Sequence, residues 1–169
     1  MSLVSDRVGG AESTGARPEP AQLAPPADLL AAPGYVARRL HHAYTAAWVR
    51  YVDPLLTGPQ FAVLTAVDAY PGVEQGSLAR TVALDRSTMA SIVRRLTERG
   101  FITRVTPVDD GRKRLLHLTE DGEHALRAAY GRARELDALL MRGFENDQED
   151  LLELLNRLSE HWESLVDDD

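Results

Sequence analysis

The chain has 169 residues, of which 44% are hydrophobic and 27% are charged, and its net charge is −7. This length suits one folded domain with a tail, and because no apolar run approaches the roughly 18 to 20 residues of a membrane span, we expect no membrane segment. The absence of cysteine excludes disulfides, thiolate metal sites and thiol redox switches, and without a signal-like start we expect a soluble, cytoplasmic protein.

Residues 1–33 are interpreted as a low-complexity tail, because Pro, Gly, Ala and Glu dominate them and no helical or strand period is present. A first helix is predicted over residues 34–54. It should end at Asp53-Pro54, since a residue that precedes proline avoids the helical conformation. Apolar residues recur along it at spacings of three and four, which gives one apolar face. The residues of this face are Val36, Leu40, Tyr44, Trp48, Tyr51 and Val52.

The middle of the chain, residues 55–122, has the pattern of a winged helix-turn-helix. Helices are predicted over residues 59–69, 75–82 and 86–99, followed by strands over residues 101–106 and 113–118. Asp85 and Gly100 suit the N-cap and the C-cap of the third helix. The Asp110-Gly111 pair between the strands is a hairpin signal. The predicted fold class is therefore mainly α (α+β), with a two-stranded wing.

Residues 123–169 carry the most regular apolar periodicity. Thr119 suits the N-cap of a long helix that contains the first part of this segment. Asn146 and Glu149 have capping-box spacing for a last helix. Steps of three and four of this kind pack helix against helix. Two interpretations stay open: an intramolecular hairpin, or dimerisation helices at both ends of the chain. We favour dimerisation, because the first helix also needs a partner. The apolar positions are Leu126, Ala129, Ala133, Leu136 and Leu140, and then Leu151, Leu155, Leu158, Trp162 and Leu165.

Charge is distributed unevenly along the chain. Residues 75–118 carry a net charge of +5, residues 1–74 carry −2, and residues 119–169 carry −10. A basic module between acidic flanks is typical of DNA-contacting domains, because the local field decides nucleic-acid binding. By itself, this charge distribution is equally compatible with a chance cluster of basic residues.

The predicted helix over residues 86–99 has two different faces. Met89, Ile92, Val93 and Leu96 form an inward apolar stripe. The opposite face suits a recognition helix, because an α-helix fits the major groove and arginine pairs with guanine bidentately. The alternative is an ordinary solvated face, but that would mix charges of both signs, and Glu98 is the one acid here. The DNA-facing residues are Arg86, Ser87, Thr88, Ser91, Arg94 and Arg95.

Three segments resemble the MarR family of bacterial transcriptional regulators: LLTGPQFAVLTAV, LARTVALDRSTMASIVRRLTERGFITR and DDGRKRLLHLTEDG. The resemblance spans residues 55–122. It implies a homodimer on an inverted-repeat operator, the recognition helix in the major groove, and a wing in the adjacent minor groove. The implied wing residues are Asp110 and Arg112, followed by Lys113 and Arg114. Gly111 departs from the arginine common in the family, which removes one charge at the tip of the wing.

The resemblance also implies a repressor that is released by a small aromatic or phenolic ligand. A cavity with aromatic walls and donor groups would suit such a ligand. The residues expected to line it are Arg38, His41, Tyr44 and Trp48, although Tyr44 and Trp48 fit the core as well. The competing interpretations are a winged helix that binds only protein, and a small enzyme using His41 and His42. We expect no enzyme, metal or cofactor, because no catalytic or metal-binding motif accompanies these histidines.

Overall fold

A computed structural model describes residues 23–53, 55–107 and 113–167 of the chain, which form seven helices and three short strands. The chain divides after Arg38 into a short N-terminal unit, residues 1–38, and a larger unit, residues 39–169. The helices are α1 Ala27–Leu30, α2 Pro33–Tyr51, α3 Gly58–Ala69, α4 Gln75–Thr81, α5 Arg86–Glu98, α6 Glu120–Leu140 and α7 Gln148–Asp167. The strands are β1 Val73–Glu74, β2 Ile102–Val105 and β3 Leu115–Leu118.

The described part of the N-terminal unit holds α1 and the first residues of α2. The carbonyl of Pro26 accepts hydrogen bonds from the N–H groups of Leu29 and Leu30, at 3.1 and 3.2 Å. Proline suits the start of α2 at Pro33, because the first turn of a helix leaves its N–H groups unpaired. The helix α1 falls within the segment that we predicted to be a tail, and the boundaries of that tail stay a prediction.

The core of the larger unit lies among α3, α4, α5, α6 and the sheet. The helix α3 begins with a capping box, in which the Gln60 N–H donates to the Thr57 hydroxyl and the Thr57 N–H donates to the Gln60 side chain. The apolar stripe that periodicity predicted on α5 is buried in this core. The largest fully buried side chains are Val52, Leu56, Val63, Leu64, Val67, Leu78, Met89, Val93, Leu96, Ile102, Leu116 and Leu136.

The two C-terminal helices have different environments. The apolar seam of α6 packs into the core against α3 and β3, where Leu126, Ala129, Ala133 and Leu136 are buried. The apolar side chains of α7 are largely uncovered, and Leu165 is 67% exposed. An intramolecular hairpin in which each seam buries the other is therefore not what the structure contains. The seam of α6 already has its partner within the same chain.

The sheet has three antiparallel strands in the order β1-β3-β2. Ile102 pairs with Leu118 and Val105 pairs with Leu115, as expected for the predicted wing. The strand β1 was missed: Val73 pairs with Leu116 on the other edge of β3. The predicted two-stranded wing, β2 and β3, is thus part of a three-stranded sheet. Two residues are too short a segment to show the alternation by which strands are recognised.

The apolar face predicted for the first helix is only partly covered. Trp48 and Val52 are buried, whereas Leu40, Tyr44 and Tyr51 are exposed by 55%, 37% and 46%. Large exposed apolar surfaces mark interaction sites more often than they mark free solvent-facing surface. None of the helices in the described part of the chain combines the length and apolarity that crossing a membrane requires.

Candidate nucleic-acid interface

Helix α5, for which the sequence predicts a recognition role, is capped by Asp85, as predicted. The Asp85 carboxylate accepts hydrogen bonds from the hydroxyls and the backbone N–H groups of Ser87 and Thr88. These bonds, with the Ser87 hydroxyl contributing most, hold the pKa of Asp85 well below its usual range. Because an ionised carboxylate only accepts, both hydroxyls donate to it. A phosphate would therefore have to compete with Asp85 for their protons.

The two faces of α5 separate as the sequence predicted. Met89, Ile92, Val93 and Leu96 are buried in the core. On the opposite side Arg86, Ser87, Arg94 and Arg95 are exposed, and Thr88 and Ser91 are partly buried.

The arginines of α5 are available to a ligand at small cost. Arg94 forms an ion pair with Glu98 at 3.5 Å, and both side chains are more than half exposed. Exposed pairs of this kind contribute about 0 to 1 kcal/mol, so Arg94 can leave Glu98 for a phosphate or a base. The face that the structure presents is therefore cationic and polar, with a buried apolar stripe holding it in place.

Between the wing strands β2 and β3, the described residues end at Pro107 and resume at Lys113. Asp110 and Arg112, which the sequence predicted as wing contacts, lie outside the described residues. Lys113 and Arg114 are exposed just before β3, and the Arg114 guanidinium donates to the Lys113 carbonyl at 2.9 Å. The strand β2 packs against α5, so the sheet is attached directly to the recognition helix.

Sequence reasoning missed the role of Arg99, the C-cap of α5. Its guanidinium donates to the Leu55 carbonyl at 2.9 Å and to the Gln60 side-chain oxygen at 3.4 Å. It also lies 4.4 Å from the centroid of the Phe101 ring. The next residue, Gly100, has a φ of +75°, which is the left-handed conformation that glycine favours after a helix. No local pattern marked Arg99, because two of its partners are about forty residues away in sequence.

A cleft of about 480 Å³ lies beside α3. Of the four residues predicted to line a ligand cavity, Tyr44 does so. Burial, and secondarily the charge of Asp137, raise the pKa of Tyr44, which keeps its hydroxyl protonated. The lining residues are Tyr44, Gly58, Phe61, Ala62, Thr65, Ala66, Ala69, Tyr70, Thr81 and Val82.

Trp48 belongs to the core. It is 4% exposed, and its indole N–H donates to the Leu56 carbonyl at 2.8 Å. It also connects the aromatic side chains at the cleft: the ring centroids of Tyr44 and Trp48 are 5.9 Å apart, and those of Trp48 and Phe61 are 5.2 Å apart. Trp48 therefore supports the wall of the cleft from behind.

The remaining predicted residues lie on α2. His41 and His42 are exposed, and in the described ranges they join no group of three or more potential metal ligands. The Arg38 guanidinium lies 5.6 Å from the centroid of the Tyr35 ring. Their part in ligand binding stays a prediction.

Comparison with known proteins identifies the family of the chain. The MarR family profile matches residues 56–113. The transcriptional regulator HosA of Escherichia coli is 33% identical over 122 residues, which are 72% of this chain and 90% of HosA. The chain belongs to the MarR family. Its described fold is thus the MarR winged helix, and its relatives are transcriptional regulators rather than enzymes.

Two solved structures of MarR-type regulators extend this comparison. The PcaV transcriptional regulator from Streptomyces coelicolor, in complex with its natural ligand, has a TM-score of 0.76 at 35% identity, covering 81% of this chain and 98% of PcaV. The transcriptional repressor CouR, bound to a 23-mer DNA duplex, has a TM-score of 0.69 at 28% identity, covering 79% of this chain and 96% of CouR.

Proposed function

We propose that this MarR-family chain is a ligand-responsive repressor that binds an inverted-repeat operator as a homodimer in the cytoplasm. The observation that carries the proposal is α5, whose buried stripe fixes an exposed face bearing Arg86, Arg94 and Arg95. An α-helix of this kind fits the major groove, where arginine reads guanine. The repressor CouR, whose solved complex contains a DNA duplex, supports the same use of the fold.

The wing supplies the second set of proposed DNA contacts. Lys113 and Arg114 are exposed next to β3, and Asp110 and Arg112 precede them in the sequence. Arginine inserted into a narrow minor groove gains from its enhanced negative potential. We assign Arg112 to that groove, and Lys113 and Arg114 to the adjacent phosphates.

Dimerisation is supported by the uncovered apolar surface of α7. This helix exposes Leu154 by 60% and Leu165 by 67%, and a groove of about 420 Å³ runs along its leucines. Helix α2 also exposes large apolar side chains, Leu40 and Tyr51. Monomeric proteins rarely expose so many large apolar side chains. A second copy of the chain is the proposed cover, since a two-fold dimer would bring two recognition helices to successive major grooves.

Ligand response is supported by the cleft. Its walls combine Phe61 and alanines with the hydroxyl groups of Tyr44, Thr65 and Tyr70, which suits a hydroxylated aromatic ring. The PcaV structure contains that protein's natural ligand.

The DNA claim is tested by selecting duplexes from a random pool with the purified chain. We expect an inverted repeat whose half-sites lie about one helical turn, roughly 34 to 36 Å, apart. The variant Arg95→Ala should lose the selected site. The matched control Arg127→Ala, which removes an exposed arginine paired with Glu123 on α6, should retain it. If no sequence is enriched, the chain is a protein-binding winged helix instead.

The effector claim is tested on the selected duplex. Simple benzoates and phenols are titrated into the complex at millimolar concentration, with aliphatic acids as controls for charge. Release by an aromatic compound, weakened by Tyr44→Ala, supports the cleft as the site. A complex that every aromatic probe leaves intact would contradict an aromatic effector.

A further inference from the structure

The first turn of α3 is held from two sides. From α2, the Trp48 indole N–H donates to the Leu56 carbonyl, and the Trp48 ring packs against Gly58. From the end of α5, the Arg99 guanidinium donates to the Leu55 carbonyl and to the Gln60 side chain. Consecutive carbonyls of one short loop are therefore bonded to the cleft-supporting tryptophan and to the recognition helix.

The same turn is also a wall of the cleft. Gly58 and Phe61 line it together with Tyr44, and the Phe61 ring lies against Trp48. Gln60 is only 8% exposed, and its side-chain oxygen also accepts the Thr57 N–H, so Gln60 joins the start of α3 to the Arg99 guanidinium. A molecule that pushes Phe61 or Gly58 outward must displace the two groups that Arg99 binds.

We propose that Arg99 is the positioning residue that couples occupation of the cleft to the orientation of the recognition helix. This inference rests on the proposed function, since it concerns how the cleft controls DNA binding. Arg99 does not line the cleft; it is the C-cap of α5, and its backbone N–H bonds to the Arg95 carbonyl. It acts through the loop at Leu55: when the loop moves, the guanidinium moves, and the end of α5 follows.

Arginine is suited to this role for a geometric reason. Its planar fork reaches two acceptors at once while its face stacks on Phe101. Lysine keeps the charge but has no planar fork. The variant Arg99→Lys should therefore uncouple the two sites while preserving the charge near DNA, whereas a role limited to attracting phosphate would survive this change.

The test fills the cleft without needing a known ligand. Ala62 lines the cleft, so Ala62→Phe places a ring in it. DNA affinity is measured on the selected duplex for the parent chain, Ala62→Phe, Arg99→Ala and the variant with both substitutions. A second set of four proteins is the same except that Arg99→Lys replaces Arg99→Ala. Thermal unfolding of each variant identifies any that fails to fold, and either set alone decides the question.

We expect Ala62→Phe to weaken DNA binding about fivefold or more when Arg99 is present, and less than about twofold when Arg99 is replaced. Equal weakening in both backgrounds would overturn the coupling, and so would unchanged affinity for Ala62→Phe alone. Those outcomes leave the proposed function intact. Absence of specific DNA binding by the parent chain would instead remove the proposed function, and the coupling with it.

Discussion

The glycine at the start of α6 gives the sharpest stability prediction. A Cβ atom at Gly122 would lie 2.1 Å from the Phe101 carbonyl oxygen, which is backbone and has no rotamer with which to move away. The same carbonyl accepts the Thr119 N–H at 3.1 Å, and the Thr119 hydroxyl donates to Gly100 at 2.6 Å. Replacing Gly122 with alanine must therefore separate α6 from the segment that leads from α5 into the wing.

The size of this effect follows from the contacts. A carbon and a carbonyl oxygen approach to about 3.3 Å, so the two segments must separate by roughly 1 Å. Overpacking costs about 1 to 3 kcal/mol, and each weakened hydrogen bond about 0.5 to 1.5 kcal/mol. We expect Gly122→Ala to lower the free energy of unfolding by about 2 to 5 kcal/mol, a large part of a typical domain's stability.

The matched control lies on the same helix. A Cβ atom at Gly131 would meet nothing within 4 Å, so Gly131→Ala should raise the free energy of unfolding by about 0.5 to 1 kcal/mol. Urea unfolding followed by circular dichroism measures both variants, at one protomer concentration because the proposed dimerisation would contribute to stability. A Gly122→Ala variant as stable as the parent would refute the close approach of Phe101 to α6.

Three further predictions concern the interface and the dimer. Arg94→Ala and Arg95→Ala should each weaken the free energy of DNA binding by about 1 to 3 kcal/mol where the arginine reads a guanine. Arg112→Ala should instead reduce the preference for A·T-rich flanks. Competition binding on base-substituted duplexes separates the two effects. Because the pKa of Asp85 is lowered, Asp85 stabilises the fold above the usual aspartate pKa, and this stabilisation is lost as pH falls through its folded pKa. The stability of Asp85→Ala in acid unfolding should therefore depend less on pH than that of the parent. Equal pH profiles would contradict the cap. Deleting the chain from Asp147 onward removes apolar side chains that contribute about 1.5 to 3 kcal/mol each when buried. Sedimentation of the truncated chain should therefore show a monomer or an unfolded chain. A truncated chain that is still a dimer would contradict the role of α7.

Helix periodicity and capping chemistry made most of the larger unit predictable. The stripe Met89, Ile92, Val93 and Leu96 is buried as expected, and Asp85 caps α5. These features depend on neighbours within one or two helical turns. The strand β1 depends on pairing with Leu115 and Leu116, about forty residues away, and its two residues carry no period of their own.

The residue types on the exposed face of α5 were predictable from the sequence, and their hydrogen bonds were less so. Sequence reasoning treated Ser87 and Thr88 as donors toward DNA, whereas both hydroxyls donate to Asp85. Trp48 was predicted either to line a cavity or to be core, and its burial, together with its bond to Leu56, depends on the fold of the following loop. Arg99 is joined to the same loop only in three dimensions. Contacts between residues that are far apart in sequence cannot be predicted from helical or strand periodicity.

The central claim, that the basic face of this MarR-family chain binds duplex DNA, is tested most directly by the salt dependence of binding to the selected inverted repeat. A dimer that neutralises about 6 to 10 phosphates should lose a factor of about 10³ to 10⁵ in affinity between roughly 50 and 200 mM salt. The complex should contain two chains per duplex. An affinity that stays flat across this range of salt would contradict the account.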